Sequence, residues 1–398
     1  MTVLTFVRRV AAASWLPALA VLAFGAAAAL PAAAAEAGYF KRWDWNANEL
    51  SRIRKLRKSV TEVERDRYFV ETAHFRVTTE IDEKFTAETA MFMELYYRQF
   101  IEMFYFPDET QPAVKRNPKT DADARDGADG NDGADDDDEP ITVFGRIAKK
   151  LDVWIYGSQR AYMAGDGMIG ARGHYSPGQH RVSTYMEGRN VVFAQCYHPV
   201  VQHEAAHAML QSLAGDKPIP AWFNEGVACF FEFWDFRSNA RPAGADGRAG
   251  QERLRRNQLS FRNRDLASFL KDNANRLPRL RDVVALETHA RWDPDEFGRK
   301  TRANYAFAET AADFLFSAKP GRAALKTAVE RLAAAKPAAH RVDGESVLDA
   351  RLITPEEADK LQSAWAEHVR RNWNSGAREP SPENDPKKTS GRKRQSTY

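Results

Sequence analysis

The chain has 398 residues, of which 43% are hydrophobic and 28% are charged, and its formal net charge is +3. This length can bury one large core or two ordinary ones, and this balance is typical of globular proteins, so folding needs no disulfide scaffold. Without Arg8 and Arg9, which lie in an N-terminal leader, the net charge falls to +1, and a nearly neutral body argues against a nucleic-acid-binding protein.

Residues 1–35 have the pattern of a secretion signal. Arg8 and Arg9 form a short positive region, an uncharged alanine-rich stretch runs from Val10 to Ala35, and the stretch ends in the small residues PAAAA. This order predicts a cleaved signal peptide and hence a secreted or periplasmic protein. The uncharged stretch is also long enough to cross a bilayer, so a retained membrane anchor is the alternative.

Residues 36–67 are polar and basic with scattered apolar positions, which predicts an exposed basic helix or a loosely attached arm. The first strand is predicted at residues 73–79, where apolar and polar side chains alternate. A long amphipathic helix is predicted at about residues 86–105, because apolar side chains recur there at three- and four-residue spacing.

Residues 112–140 are dense in Asp and Gly and almost free of apolar side chains, which predicts a disordered acidic insertion. A calcium-binding loop is the more specific alternative. The EF-hand pattern does not fit, however, because Arg125 and Asp126 stand where an oxygen ligand and a glycine are needed.

After the insertion, a strand is predicted at residues 151–156. Residues 172–175 and 181–185 are predicted to pair as a hairpin, because Pro177 and Gly178 between them supply turn chemistry.

The C-terminal part of the chain, residues 237–374, opens with a loop and reads as helical from about residue 259. Its last helix is predicted to begin at a capping box, in which Thr354 and Glu357 occupy the cap and third positions and Pro355 the first. Residues 375–398 are polar and end in a basic run, which predicts a disordered tail.

Residues 203–207 read HEAAH. On a helix, positions four apart lie on one face, so His203 and His207 can direct both imidazoles at one metal ion. Glu204 then lies near the metal without being needed as a ligand, which suits a general base for a metal-activated water. Pro199 and Gly215 fit the first turn and the end of such a helix.

A second element supports the metal site. Glu225 follows His207 by 18 positions, in an apolar segment where a buried carboxylate needs a bonding partner. Two histidines and one glutamate leave a fourth zinc position open, which is the catalytic arrangement. The remaining alternative is a chance motif in a metal-free helical protein, since HExxH alone arises in about 1% of chains of this length.

HEAAH followed by NEG resembles the gluzincin zinc metallopeptidases, and more closely the peptidase-MA-like domains of secreted bacterial proteins. The likeness is clearest over residues 145–235. It implies an α+β zincin-like fold, with a small mixed sheet lobe over a helical lobe and Zn²⁺ between them. It also implies His203, His207 and Glu225 as ligands and Glu204 as the base.

The likeness has one departure. Aminopeptidases of this clan carry a glutamate on a strand before the zinc helix, where it holds the substrate amine. Residues 170–175 of this chain, GARGHY, contain no glutamate. Aminopeptidase activity is therefore not expected, but the strand can still bind a peptide by edge pairing.

Four further residues are candidates for supporting roles. Tyr305 is the candidate donor to the tetrahedral oxyanion, with a core tyrosine as the alternative. Glu232 lies on the helical face of Glu225 and can orient a ligand histidine. His198 is expected to cap the zinc helix, and His174 to contact substrate or solvent.

The chain has two cysteines, Cys196 and Cys229. An oxidising compartment allows them to pair, and two separate buried thiols are the alternative. Neither has ligand spacing with the histidines, so a closed thiolate site is not expected.

The expected catalytic domain is residues 68–236, completed by the helical part that follows. The expected function is a secreted or periplasmic zinc-dependent hydrolase that cleaves amide bonds in a peptide or protein substrate, with Glu204 and Tyr305 as catalytic residues. The expected partners include no nucleic acid and, after signal cleavage, no stable membrane span. The alternative is a non-catalytic zinc-containing binding or assembly module at the cell envelope.

Overall fold

The computed structural model describes residues 45–104, 106, 149–169, 171–185, 199–215, 217–232, 262–273, 276–292 and 299–373. The predicted signal peptide, the acidic insertion and the basic tail lie outside these residues, as do Cys196 and His198.

A six-stranded mixed sheet forms one side of the molecule, with the strand order β1-β2-β3-β4-β6-β5. Its strands are β1 (Thr61–Glu64), β2 (Arg67–Glu71), β3 (Phe75–Thr79), β4 (Leu151–Tyr156), β5 (Gly173–Ser176) and β6 (Arg181–Tyr185). The first three strands pair antiparallel in sequence order, and β4 is parallel to both β3 and β6. Strand β5 pairs antiparallel with β6 and is the outermost strand on that side.

Ten α-helices surround the described part of the sheet or follow it along the chain. They are α1 (Ala47–Lys58), α2 (Glu83–Met103), α3 (Gln159–Ala164), α4 (Pro199–Ala214), α5 (Ala221–Glu232), α6 (Arg262–Asp272), α7 (Leu280–Val284), α8 (Arg299–Ser317), α9 (Lys319–Ala334) and α10 (Pro355–Asn372). A short 3₁₀ helix, His289–Trp292, and a second hairpin, β7 (Pro337–Val342) with β8 (Glu345–Leu348), complete the described elements.

The predictions for the buried strands are confirmed. Strand β3 lies within the predicted range, β4 has the predicted bounds, and β5 and β6 form the predicted hairpin. In β4, Leu151, Val153 and Ile155 are buried, because alternate side chains of a strand point to the same face.

The predicted basic arm is partly a helix and partly sheet. Helix α1 begins at an Asn46–Glu49 capping box, and its Ile53 is buried against Ala87 and Met91 of α2, so the helix is anchored rather than loose. Strand β1 belongs to the sheet and not to the arm. Its four residues are all exposed, so no alternation of apolar side chains marks it in the sequence.

Helix α2 joins the sheet to the helical part of the molecule. The Tyr96 hydroxyl donates to the backbone carbonyl of Gln202 on α4 at 2.8 Å. The rings of Phe100 on α2 and Phe231 on α5 lie 4.9 Å apart between centroids. Helix α2 therefore packs against both α4 and α5 and holds these two helices in place. Functional side chains are positioned accurately when they lie on well-packed elements.

The prediction of helix throughout the C-terminal part is wrong at β7 and β8. The two-residue turn Asp343-Gly344 joins these strands, with φ angles of 51° and 82°. Asp-Gly is a preferred sequence for such a turn, because both central residues need positive φ. The predicted capping box of the last helix is confirmed, with the Thr354 side chain accepting from Glu357 N.

The described residues form a mixed α and β structure, which agrees with the predicted α+β class. One hydrophobic cluster extends from Val70 in the sheet to Trp373 after the last helix. None of the described helices is both long enough and apolar enough to cross a membrane.

Candidate metal centre

Helix α4 places the HEAAH segment at the centre of the molecule. The helix begins at Pro199 and ends before Gly215, whose φ of 67° suits glycine at a helix C-terminus. It packs against β5 and β6 on one side and against α5 on the other. His203 and Glu204 are both buried, and His207 is nearly so. Packing against these elements restricts the directions that these side chains can take.

Three side-chain atoms converge between α4 and α5. The Nε2 atoms of His203 and His207 are 3.2 Å apart, and Glu225 Oε2 is 3.6 Å from each of them. A tetrahedral ion with bonds of about 2.0–2.2 Å to nitrogen and oxygen holds its ligand atoms about 3.3–3.6 Å apart. The triangle therefore has the dimensions of three ligands around one divalent metal ion.

Glu225 supplies a second reason to infer a metal ion. The residue is 2% exposed, and its Oε2 has no hydrogen-bond partner. A buried carboxylate oxygen without a partner is costly. A cation inside the triangle removes this cost, so the residues present fit a metal ion.

Helix α5 also orients one of the imidazoles. The Nδ1–H of His207 donates to Asn224 Oδ1 at 3.0 Å, which directs the lone pair of Nε2 towards Glu225 and His203. Asn224 immediately precedes Glu225, so one residue of the NEG segment is a candidate ligand and its neighbour contacts another candidate ligand, His207.

His203 is supported by a buried charged cluster. Its Nδ1 lies 3.3 Å from Glu232 Oε2, which is an ionic contact without hydrogen-bond alignment. Arg262 on α6 donates from Nη1 to the same Glu232 oxygen at 2.6 Å and lies 4.0 Å from Glu309. Glu232 therefore lies beside His203, as the prediction requires, and its role in orienting a metal ligand stays a prediction. Arg262 and Glu309 carried no signal in the sequence, because they reach the site from distant segments.

Cys229, His203 and Glu232 form another group with the spacing of metal ligands. Here, however, the guanidinium of Arg262 already neutralises Glu232. Burial raises the pKa of the Cys229 thiol to about 11. Because Glu232 already has Arg262 as a partner, the group of His203, His207 and Glu225 is the better candidate for the metal centre. Cys196 lies outside the described residues, so the prediction that Cys196 and Cys229 can pair is not tested.

Glu204 faces the edge of the sheet. Its Oε2 accepts from the backbone N–H of Tyr175 on β5 at 2.9 Å. Burial raises the pKa of Glu204, and the neighbouring His203 and His207 oppose that rise. A carboxylate with a raised pKa is better suited to accept and return a proton near neutral pH.

His289 is a functional candidate that the sequence did not reveal. Its Nε2 donates to Glu225 Oε1 at 3.1 Å, and its Nδ1 is 3.6 Å from Glu345 Oε2. Burial lowers the pKa of His289, but the two carboxylates outweigh burial and raise it to about 10. The segment around it matches no motif, and the contact spans 64 positions, so only the fold identifies it.

Tyr305 on α8 lies close behind the candidate ligands. It packs in a small cluster with Ala221, Cys229 and Ala308, and its ring centroid is 5.7 Å from Arg262 Cζ. Burial raises the pKa of its hydroxyl well above the usual value. This apolar packing is that of a core tyrosine, and the role of oxyanion donor stays a prediction.

His174 on β5 is half-buried and interacts with a neighbouring tyrosine. Its Nδ1 is 2.8 Å from the hydroxyl of Tyr162 on α3. Burial lowers the pKa of His174. This contact occupies Nδ1 of His174. The prediction that His174 contacts substrate or solvent therefore concerns its other ring nitrogen, Nε2, and stays a prediction.

Comparisons of the chain with protein-family models, with curated proteins and with solved structures found no match. Function is therefore inferred from the residues and geometry of the site.

Proposed function

We propose that this protein is a zinc-dependent hydrolase that cleaves peptide bonds outside the cytoplasm. The observation that carries the proposal is the triangle of His203, His207 and Glu225, whose third atom is a buried carboxylate oxygen without a hydrogen-bond partner. Two imidazoles and one carboxylate are the ligand set of catalytic zinc in several hydrolases. The proposed architecture is zincin-like, with the sheet and the helices on either side of α4.

Zinc supplies Lewis acidity, which activates a water and polarises the scissile carbonyl. Glu204 is the proposed general base: it accepts the proton that the attacking water loses, and protonated Glu204 then donates to the leaving amine. The hydrogen bond from Tyr175 N holds the Glu204 carboxylate in place during this exchange. Tyr305 is the proposed oxyanion donor.

The proposed substrate is an extended peptide. Strand β5 is the outermost strand beside the site, and its Tyr175 N–H already points to Glu204. A peptide that pairs with the open side of β5 would place its backbone close to Glu204. The absence of a glutamate from residues 170–175 argues against an aminopeptidase.

Replacing Glu204 with Gln tests the mechanism. The variant keeps the size of the side chain and all three ligands, so we expect one zinc per chain but a loss of at least about 100-fold in turnover, the contribution typical of a general base. Zinc analysis and cleavage of denatured proteins and peptidoglycan-type peptides measure both quantities. Glu330→Gln, an exposed position on α9, is the matched control with unchanged activity.

Two outcomes contradict parts of the proposal. Full turnover by Glu204→Gln removes Glu204 as the base. Zinc binding by the unaltered protein without cleavage of any tested substrate supports the binding or assembly module instead.

A further inference from the structure

The two oxygens of Glu225 have different surroundings. Oε2 faces His203 and His207, whereas Oε1 accepts a hydrogen bond from His289 Nε2 at 3.1 Å. A carboxylate can rotate about its last bond and can bind a metal ion through one oxygen or both. The bond from His289 fixes that rotation and leaves Oε2 as the oxygen directed at the imidazoles.

Glu345 contacts both the backbone and the ring of His289. Glu345 Oε2 accepts from the backbone N–H of His289 at 3.2 Å, and Glu345 Oε1 accepts from Ala290 N at 3.0 Å. The side-chain Nδ1 of His289 lies 3.6 Å from Glu345 Oε2. Both ring nitrogens of His289 therefore face a carboxylate, and the backbone that carries the ring is fixed by the same residue.

The turn of the C-terminal hairpin holds the remainder of this segment. Asp343 Oδ2 accepts from Thr288 Oγ1 at 3.1 Å and from Arg291 Nε at 2.8 Å. The two acidic residues of the turn thus bind the segment on both sides of His289. A continuous chain of polar contacts runs from the hairpin through His289 to the candidate metal ligand.

We propose that His289 is a positioning residue for Glu225 and that Glu345 positions His289, so that the C-terminal hairpin sets the metal affinity of the site. This inference rests on the proposed metal centre. It extends that centre to a hairpin more than a hundred positions from the ligands. Residues that orient a metal ligand typically change metal affinity about 10- to 100-fold when they are replaced.

Zinc affinity measured by competition with a chelator tests the inference without relying on catalysis. We expect His289→Ala and Glu345→Ala to bind zinc about 10- to 100-fold more weakly than the unaltered protein. His289→Gln should recover most of the loss, because the Gln amide can donate from nearly the same place as Nε2. His340→Ala, an exposed histidine on β7, is the control with unchanged affinity.

The absorption spectrum of a cobalt-loaded form gives a second measurement. A general loss of stability does not change this spectrum as long as the protein is folded. We expect the visible absorption bands of bound Co²⁺ to shift in His289→Ala, because Glu225 is then free to bind through both oxygens, and to stay unchanged in His340→Ala. If His289→Ala does not fold, the zinc affinity and the cobalt spectrum are compared between Glu345→Ala, His289→Gln and the unaltered protein.

The outcomes separate the two proposals. A folded His289→Ala or Glu345→Ala with unaltered zinc affinity and an unaltered cobalt spectrum overturns the inference and leaves the metal centre intact. A folded, unaltered protein that binds neither Zn²⁺ nor Co²⁺ overturns the metal centre and this inference with it.

Discussion

At the scale of single residues, the candidate centre has an excess of buried negative charge. Glu204, Glu225, Glu232 and Glu309 are all buried there. The cations beside them include the Arg262 guanidinium on Glu232 and the His289 imidazolium on Glu225. Buried charges need partners, since the interior screens them poorly. A divalent cation within the triangle of candidate ligands would offset most of this excess. The buried charges and the interatomic distances therefore both favour a metal ion at this place.

Gly226, which follows the proposed ligand Glu225, permits close contact between α5 and α8. A Cβ atom at this position would lie 2.5 Å from the carbonyl oxygen of Ala308. We expect Gly226→Ala to lower the free energy of unfolding by about 1–3 kcal/mol, as is typical of overpacking. Urea unfolding measures the change.

Gly178, in the β5–β6 turn, is the matched control, because a Cβ atom there meets nothing within 4 Å. Gly178→Ala should change the stability by less than about 0.5 kcal/mol. Equal stabilities for the two variants would contradict the close contact of the helices.

At the scale of elements, α10 is fastened to α8 by a buried polar network. Asp313 Oδ2 accepts from His368 Nε2 at 2.9 Å and from Trp373 Nε1 at 3.1 Å, and Asp313 Oδ1 accepts from Ser317 Oγ at 3.1 Å. All four residues are buried. A fully bonded network of this kind fixes a unique arrangement of two helices.

Replacing Asp313 with Ala should lower the free energy of unfolding by about 3–5 kcal/mol, because several buried donors lose their acceptor at once. Asp359→Ala is the matched control on α10. Its ion pair with Arg281 is partly exposed, and such pairs contribute about 1 kcal/mol or less. Chemical denaturation compares the two, and a similar small loss in both would argue against the network.

The start of α10 should make stability depend on pH. The hydrogen bonds from Arg331 to Glu357 lower the pKa of Glu357 to about 2. The unfolded value is about 4.3. A lowered pKa means that the stabilisation is fully present above the unfolded pKa and is lost as pH falls towards 2.

The stability difference between the unaltered protein and Glu357→Gln should therefore be constant above about pH 5 and shrink as pH falls below that value. Urea unfolding at several values between pH 3 and 7 measures it. A difference that is independent of pH would show that Glu357 keeps its unfolded pKa in the folded protein.

At the scale of the whole molecule, the site is built from segments that lie far apart in the sequence. Helix α4 provides two of the proposed ligands and α5 provides the third. Strand β5 contacts the proposed base, and the C-terminal hairpin supports His289. A single hydrophobic cluster connects these parts. The residues after the NEG segment are therefore structurally part of the site.

Local patterns in the sequence predict what depends on neighbouring residues. The alternation in β3 and β4, the Pro-Gly turn after β5 and the spacing of His203 and His207 are such patterns, and the structure contains the corresponding elements. Glu225 was recognisable because a carboxylate among apolar residues needs a partner.

The parts that were missed depend on distant contacts. Arg262 and His289 meet their partners across 30 and 64 positions, and no local pattern indicates such pairing. Strand β1 is fully exposed, so only its pairing with β2 identifies it. The Asp343-Gly344 pair is a local pattern that predicts a hairpin turn. It was not used because the flanking segments were interpreted as helical.

The zinc content of the purified protein tests the central claim most directly. We expect one zinc per chain after dialysis against metal-free buffer and none in the double variant His203→Ala and His207→Ala, while Glu225→Ala loses its zinc to a chelator far more readily. A folded protein that takes up no zinc, or a Glu225→Ala variant that holds it as tightly as the unaltered chain, would contradict the convergence of these three side chains on one ion.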